Sequence, residues 1–166
     1  ADSAADELGI NRPVMLNFPD NRLDSIPLLD IIQQVEKVVD QILPDILYIH
    51  HNGDLNVDHR IAHEAAMTAA RPQPGTTIRA IYAFETPSST EWASDSGKPF
   101  HPSRYIDISS HFSKKLAALA CYEEEMRPFP HARSIEAISA LASLRGTSVG
   151  LEKAEAFFTI REIHPG

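Results

Sequence analysis

Apolar runs of strand length alternate along this chain with apolar residues at helical spacing, and this alternation most constrains its fold. Helical spacing extends over residues 26–42, and Pro44 ends it. The compact run 45–50 then predicts a buried strand, and a helix is predicted from residue 56 or 57 to residue 70. Strands joined by helices of crossover length predict an α/β fold with a mostly parallel sheet flanked by helices.

The remaining segments continue this alternation. Residues 3–10 are typical of the last turns of a helix that Gly9 ends. Further strands are predicted at residues 12–18, 76–85 and 156–163, with a short extended segment at 105–108. One further helix is predicted from residue 109 or 110 to about residue 126, and another, capped by Ser134, extends to residue 144. A long loop is predicted at residues 87–101. Because no repeat or linker divides the chain, we expect one α/β domain over residues 1–166.

The charge and cysteine content narrow the possible partners and the compartment. The chain has 15 basic and 23 acidic side chains, a net charge of −8, and no basic stripe, which disfavours binding to nucleic acid. No apolar run approaches the roughly 20 residues that span a bilayer, and no signal peptide is visible. A single cysteine, Cys121, is typical of a reducing compartment. We therefore expect a cytoplasmic protein that binds a small molecule.

The densest group of potential ligands is segment 50–60, which contains three histidines and two aspartates. It follows the carboxyl end of a predicted strand, where open α/β sheets bind ligands. Asn56 is a predicted N-cap, which places Asp58 and His59 in the first turn of the next helix. Imidazoles and carboxylates are the ligands of catalytic zinc. The alternative is structural: Asp58 complements the helix dipole, His59 and His63 line a solvent edge, and His50 is buried with one hydrogen bond.

Two further segments are weaker candidates. Residues 85–92 follow a predicted strand and form either one wall of a pocket or a plain surface loop. Residues 131–134 begin a helix, where an anion can bind, or they only cap it. The chain has no phosphate-binding glycine-rich loop and no Gly-x-Ser-x-Gly elbow, which disfavours P-loop and serine-hydrolase chemistry.

An ordered set of segments over nearly the whole chain resembles the PIG-L/LmbE family of zinc-dependent de-N-acetylases, in its bacterial sugar-modifying branch. The set comprises Asp54–Arg60, Arg71-Pro72, Phe84–Trp92, Phe100 with Pro102, Tyr105–Ile108, Pro130–Ser134, Arg145-Gly146 and Ala154–Phe157. The resemblance implies a Rossmann-like, LmbE-like fold, zinc as cofactor and often a homo-oligomer. It also implies removal of an acetyl group from an N-acetylated amino sugar or its conjugate, of the N-acetylglucosamine type.

The resemblance also suggests roles for individual residues. His59 matches a zinc ligand of the family's second metal motif. Asn56 replaces a histidine that assists the transition state, so it is the expected hydrogen-bond donor, and Asp58 is expected to act in acid/base chemistry or to support its neighbours. His131 is a candidate proton donor. The candidates for substrate contacts are Arg133, Ser89, Glu91 and Trp92.

One departure from the family is large. The His-Pro-Asp-Asp-Glu motif, which supplies two zinc ligands and the general base in the family, does not occur in this sequence. The expected explanation is a chain that lacks the N-terminal strands of the fold and is N-terminally incomplete. One alternative is a non-catalytic binding or scaffold relative that has lost its metal site. Another is a metal site built only from ligands within the chain, such as His50, His51, Asp54 and His59.

Overall fold

The computed structural model describes residues 1–94 and 98–164, and the chain divides into two compact units. One unit contains Ala1–Met15 and Tyr105–Ala156; the other contains Leu16–Arg104 and the chain from Phe157 onward. Residues 95–97 of the predicted loop lie outside the described residues. The helices are α1 (Asp2–Leu8), α2 (Leu28–Ile42), α3 (Val57–Ala69), α4 (Phe112–Ala120) and α5 (Ile135–Thr147), and the strands are β1 (Ile46–His50), β2 (Ala80–Phe84), β3 (Arg104–Asp107) and β4 (Ala154–Glu162).

The strands form one sheet in the order β1-β2-β4-β3. β1 and β2 are parallel, with Ile46 beside Ala80 and His50 beside Phe84, because α3 returns the chain between them. β4 is antiparallel to β2, and the ladder is irregular between Ile81 and Tyr82. The α/β class is confirmed, and the sheet is mixed, since β4 runs antiparallel to its neighbour β2. A crossover enforces parallel pairing only within a strand–helix–strand unit, and β3, α4 and α5 lie between β2 and β4.

The core of the Leu16–Arg104 unit lies between the sheet and helices α2 and α3. Side chains alternate along β1, so Leu47 and Ile49 face a cluster with Ile81 while Ile46 and Tyr48 stay exposed. A second cluster joins α2 to α3; its buried members are Ile31, Ile32 and Ala65. Each buried isoleucine stabilises the unit by about 1.5–3 kcal/mol, so these contacts fix where α3 begins relative to the end of β1.

The other unit contains α1, α4 and α5. Gly9 ends α1 with a φ of 70°, in the left-handed region that glycine adopts without strain, as the sequence predicts. α1 packs against α4, and Phe112 of α4 forms a buried cluster with Ile108 and Ala142. Ser134 caps α5 as predicted, because its side chain accepts a hydrogen bond from the Ala137 N–H.

Two segments differ from the sequence predictions. Residues 12–18 form no strand, and Val14 and Met15 are 58% and 65% exposed, although the sequence predicts a buried strand there. An apolar run of this length does not show whether a pairing partner exists. α4 ends at Ala120 and not near Met126, because hydrogen-bonded turns replace the helix after Cys121. Of the helices that the structure describes, none is long and apolar enough to cross a membrane.

Candidate active site

The candidate site lies where β1 ends and α3 begins. β1 ends at His50, and α3 begins at Val57 after a short loop. The Asn56 side chain accepts a hydrogen bond from the Asp58 N–H at 2.8 Å, which confirms Asn56 as the N-cap. The cap uses the amide oxygen of Asn56, so its Nδ2 group is the donor that remains. Nδ2 lies 3.4 Å from Asn21 Oδ1.

A buried carboxylate, Asp54, organises the loop between β1 and α3. Asp54 is 1% exposed, and its Oδ2 lies 2.9 Å from His59 Nδ1. Its Oδ1 accepts a hydrogen bond from Thr90 Oγ1 at 2.5 Å. Burial of an unpaired carboxylate costs so much free energy that these two partners are needed to hold it in place. From the sequence, Asp54 is a candidate only in the alternative set of ligands, and no sequence pattern predicts its contact with Thr90.

The His59 ring is held on two sides. Nδ1 faces Asp54, and the ring stacks on the ring of His50, with centroids 4.2 Å apart and planes inclined by 25°. Its side chain is 20% exposed, so the ring is largely enclosed but still reaches solvent. With Nδ1 occupied by Asp54, Nε2 is the nitrogen of His59 that can serve as a ligand to a metal ion.

The neighbouring histidines are held in their neutral form. Burial, together with the nearby charge of His59, lowers the pKa of His50 to about 4. Burial also lowers the pKa of His63, whose Nδ1 donates a hydrogen bond to the His50 carbonyl at 2.7 Å. The His50 ring also contacts Phe84, with centroids 4.7 Å apart. His50 and His63 therefore form an uncharged, partly apolar surface beside His59.

A glycine allows the loop to pass close to another segment. His51 is 5% exposed, and its Nε2 donates a hydrogen bond to the Lys98 carbonyl at 2.9 Å. A Cβ atom at Gly53 would lie 2.4 Å from that carbonyl and 2.7 Å from His51 Nε2. Gly53 is therefore required by the space between the two segments, since a side chain there would displace backbone atoms.

The segment that follows β2 forms a wall of the site. The Leu55 N–H donates to the Ser89 carbonyl at 3.2 Å, and the Asn56 N–H donates to Ser89 Oγ at 3.2 Å. Ser89 is buried, and its Oγ also lies 3.4 Å from His59 Nδ1. The Glu91 carboxylate accepts from the Ser88 N–H at 2.6 Å, whereas Trp92 is 52% exposed. Segment 85–92 thus contacts the loop between β1 and α3, and its role as one wall of a pocket remains a prediction.

Of the other predicted residues, Asp58 lies in the same compact unit as His59, whereas His131 and Arg133 lie in the other unit. Asp58 Oδ1 accepts a hydrogen bond from the Leu23 N–H at 3.0 Å, so Asp58 joins α3 to the turn at Leu23–Ser25. His131 and Arg133 belong to the other compact unit, where the Arg133 N–H donates to His131 Nδ1 at 3.0 Å and the Arg133 side chain pairs with Glu125. The structure thus groups Asn56, His59 and Ser89 within one unit, and the roles of all predicted residues remain predictions.

The described residues do not form a complete metal site. Over residues 1–94 and 98–164, no group of three or more histidine, cysteine, aspartate or glutamate side chains is placed to hold a metal ion. The alternative site of His50, His51, Asp54 and His59 is therefore not formed. His51 Nε2 is directed at the Lys98 carbonyl, and Asp54 is occupied by His59 and Thr90. The role of His59 as a metal ligand remains a prediction.

A known protein family matches the segment of the chain that contains His59 and its neighbours. Residues 1–70 match the family model "PIG-L: GlcNAc-PI de-N-acetylase", and this range contains Asp54, Asn56 and His59. The match confirms the resemblance to the PIG-L family over residues 1–70, which is less than half of the chain. No match was found among curated protein sequences.

Solved structures with the same fold cover almost the whole chain. The conserved protein TT1542 from Thermus thermophilus has a TM-score of 0.73 at 22% identity, over 99% of this chain and 73% of its own. N,N'-diacetylchitobiose deacetylase from Pyrococcus horikoshii has a TM-score of 0.73 at 16% identity, and the match covers 96% of this chain and 61% of the deacetylase chain. The 4-carboxy-2-hydroxymuconate hydratase from Pseudomonas putida has a TM-score of 0.67 at 21% identity, and the match covers 98% of this chain and 70% of the hydratase chain. The chain therefore shares the α/β fold of these structures, and likeness at such low identity establishes the fold alone.

Proposed function

We propose that this chain provides part of the active site of a zinc-dependent de-N-acetylase, which removes an acetyl group from an N-acetylated amino sugar or its conjugate. The observation that carries this proposal is the His59 imidazole, held by buried Asp54 at the carboxyl end of β1. The match of residues 1–70 to a de-N-acetylase family supports the reaction class. The fold shared with a chitobiose deacetylase supports a small N-acetylated sugar as substrate.

We assign His59 as the zinc ligand that this chain contributes. A zinc ion needs three protein ligands in a typical catalytic site, and the described residues do not supply such a group. The structure therefore supports no reaction step through the metal. What the chain's own residues provide is an oriented imidazole at His59, a neutral surface of His50 and His63, and the Ser89 wall.

Amide hydrolysis also needs a donor for the carbonyl oxygen and a proton for the departing nitrogen. We propose Asn56 Nδ2 as the donor, because the helix cap occupies the amide oxygen and leaves the amino group. We propose that Asp58 supports this site through its bond to Leu23 and takes part in proton transfer. His131 as the proton donor, and Arg133, Glu91 and Trp92 as substrate contacts, remain further parts of the proposal.

The first experiment measures zinc per chain by elemental analysis, using protein purified without chelators or a histidine tag. It is paired with an assay for acetate release from N,N'-diacetylchitobiose and N-acetylglucosamine. Because the described residues supply no group of three ligands, we expect little zinc and little acetate release from this chain alone. With an N-terminal segment that carries the His-Pro-Asp-Asp-Glu motif added, we expect bound zinc and acetate release, both reduced by at least about 100-fold in His59→Ala and unchanged in the exposed-histidine control His111→Ala. Acetate release that survives His59→Ala would contradict the proposal.

A non-catalytic relative of the deacetylases is the second candidate. The observation that favours it is that the described residues form no group of three potential metal ligands. It predicts no bound zinc and no acetate release even after the segment with the His-Pro-Asp-Asp-Glu motif and zinc are added. The same pair of measurements therefore decides between the two candidates.

A further inference from the structure

We infer that Thr90 and Asp54 are positioning residues that hold His59 in the tautomer with its hydrogen on Nδ1. The three side chains form a chain of hydrogen bonds from the loop after β2 to the first turn of α3. The inference about the tautomer stands on this geometry, whereas its importance for a ligand role of His59 rests on the proposed function.

The direction of the first bond is fixed by a backbone group. The Thr86 N–H donates to Thr90 Oγ1 at 2.7 Å, so this contact uses the hydroxyl oxygen as an acceptor. The hydroxyl hydrogen of Thr90 is then directed to Asp54 Oδ1, 2.5 Å away. Thr90 thus acts as a donor to the carboxylate.

The direction of the second bond follows from the chemistry of the carboxylate. An ionised carboxylate accepts hydrogen bonds and cannot donate them. The hydrogen in the 2.9 Å contact between Asp54 Oδ2 and His59 Nδ1 therefore belongs to the imidazole. In a neutral imidazole the other nitrogen then has a lone pair. Asp54 consequently directs the lone pair of His59 to Nε2.

The carboxylate is itself held at both its backbone and its side chain. Arg60 Nη1 donates to the Asp54 carbonyl at 2.7 Å and to the Leu55 carbonyl at 2.6 Å. The Asp54 side chain is 0% exposed, so bulk water does not compete for its oxygens. Ser89 joins the loop after β2 to the same segment through bonds from Leu55 and Asn56. With its backbone held in this way, rotation of the Asp54 side chain away from His59 would also break its bond to Thr90.

Nitrogen-15 NMR of the full chain with labelled histidine tests the inference. We expect a protonated-type shift for His59 Nδ1 and a lone-pair-type shift for Nε2 at neutral pH. In Asp54→Asn, Thr90 still donates to the side-chain oxygen, so the amide NH₂ faces His59 and should reverse the two shifts. Unreversed shifts in folded Asp54→Asn, or an Nε2-protonated native protein, would overturn the inference.

Two variants of Thr90 leave the Asp54 carboxylate unchanged and test the contribution of the Thr90 hydroxyl to the tautomer of His59. Thr90→Val removes the hydroxyl with almost no change in size, and Thr90→Ser retains it. We expect a detectable population of the Nε2-protonated tautomer in Thr90→Val and native shifts in Thr90→Ser. Equal shifts in both variants would overturn the assignment of Thr90. Because the readout needs neither zinc nor turnover, failure to release acetate contradicts the proposed function and leaves the tautomer result valid.

Discussion

The two ends of α3 differ in how their polar groups are held. At its start, a buried carboxylate has two side-chain partners, and two histidines have pKa values lowered by burial. At its other end lies a cavity of about 320 Å³, and two of the residues that line it, Arg71 and Glu36, form an ion pair at 3.0 Å. Those side chains are 50% and 32% exposed. Volume alone therefore does not identify the candidate site; the burial and orientation of ionisable groups do.

The largest expected effect comes from removing the buried carboxylate. Asp54→Ala leaves His59 Nδ1 and the Thr90 hydroxyl without their acceptor, and each unsatisfied buried group costs about 1–3 kcal/mol. We expect the free energy of unfolding, measured with denaturant, to fall by about 3 kcal/mol. Arg71→Ala, at the other end of α3, is the matched control. Equal losses in the two variants would show that the two ends do not differ in the way described.

A smaller loss is expected at Gly53, where the loop of the site passes beside Lys98. Gly53→Ala places a methyl group against the Lys98 carbonyl and the His51 ring, and such overpacking typically costs about 1–3 kcal/mol. The measurement combines denaturant unfolding with the ring resonances of His51, which should shift.

The control is Gly75→Ala, next to the cavity, where a Cβ meets no atom within 4 Å but the φ of 89° is unfavourable for alanine. It should destabilise the chain through backbone strain without moving the His51 resonances. A shift at His51 in the control, or none in Gly53→Ala, would refute the steric explanation.

The third expected effect concerns pH. Burial lowers the pKa of His63 below its unfolded value of about 6.5, so below that pH the unfolded chain binds more protons than the folded chain. The His63 contribution to stability is therefore present above pH 6.5 and is lost as pH falls through the folded pKa. His63→Asn retains a donor for the His50 carbonyl and cannot be protonated. We expect it to lose less stability than the native protein between pH 7.5 and 5, measured by thermal unfolding.

His111→Asn serves as the control for this pH effect, because His111 is exposed and belongs to the other compact unit. It should follow the native pH profile. A steeper loss of stability in His63→Asn than in the native protein would show that the neutral state of His63 does not stabilise the fold.

The parts of the fold that sequence alone predicts are those with local patterns. The bounds of α2, α3 and β1 follow from apolar periodicity, Pro44 and the Asn56 cap, each readable over a few residues. The strand prediction for segment 12–18 is wrong because its apolar run carries no information about a pairing partner. The antiparallel direction of β4 likewise depends on segments far away in the chain.

The same distinction holds for the site. His59 and Asn56 lie in one short motif, and the sequence identifies them there. The Thr90–Asp54 bond joins residues 36 positions apart, and no local pattern encodes the side-chain positions that bring them together. The shared family pattern places segments 54–60 and 84–92 in one set, but it does not show which atoms meet.

The smallest effect is expected at the ion pair beside the cavity. Arg71 and Glu36 are partly exposed, and ion pairs of this kind contribute about 0–1 kcal/mol because water and salt screen them. A double-mutant cycle of Arg71→Ala and Glu36→Ala should give a coupling in this range, smaller at high salt concentration. A coupling near the loss of about 3 kcal/mol expected for Asp54→Ala would mean that the cavity end also holds its charges by burial. Cavity size would then have to be weighed again as an indicator of function.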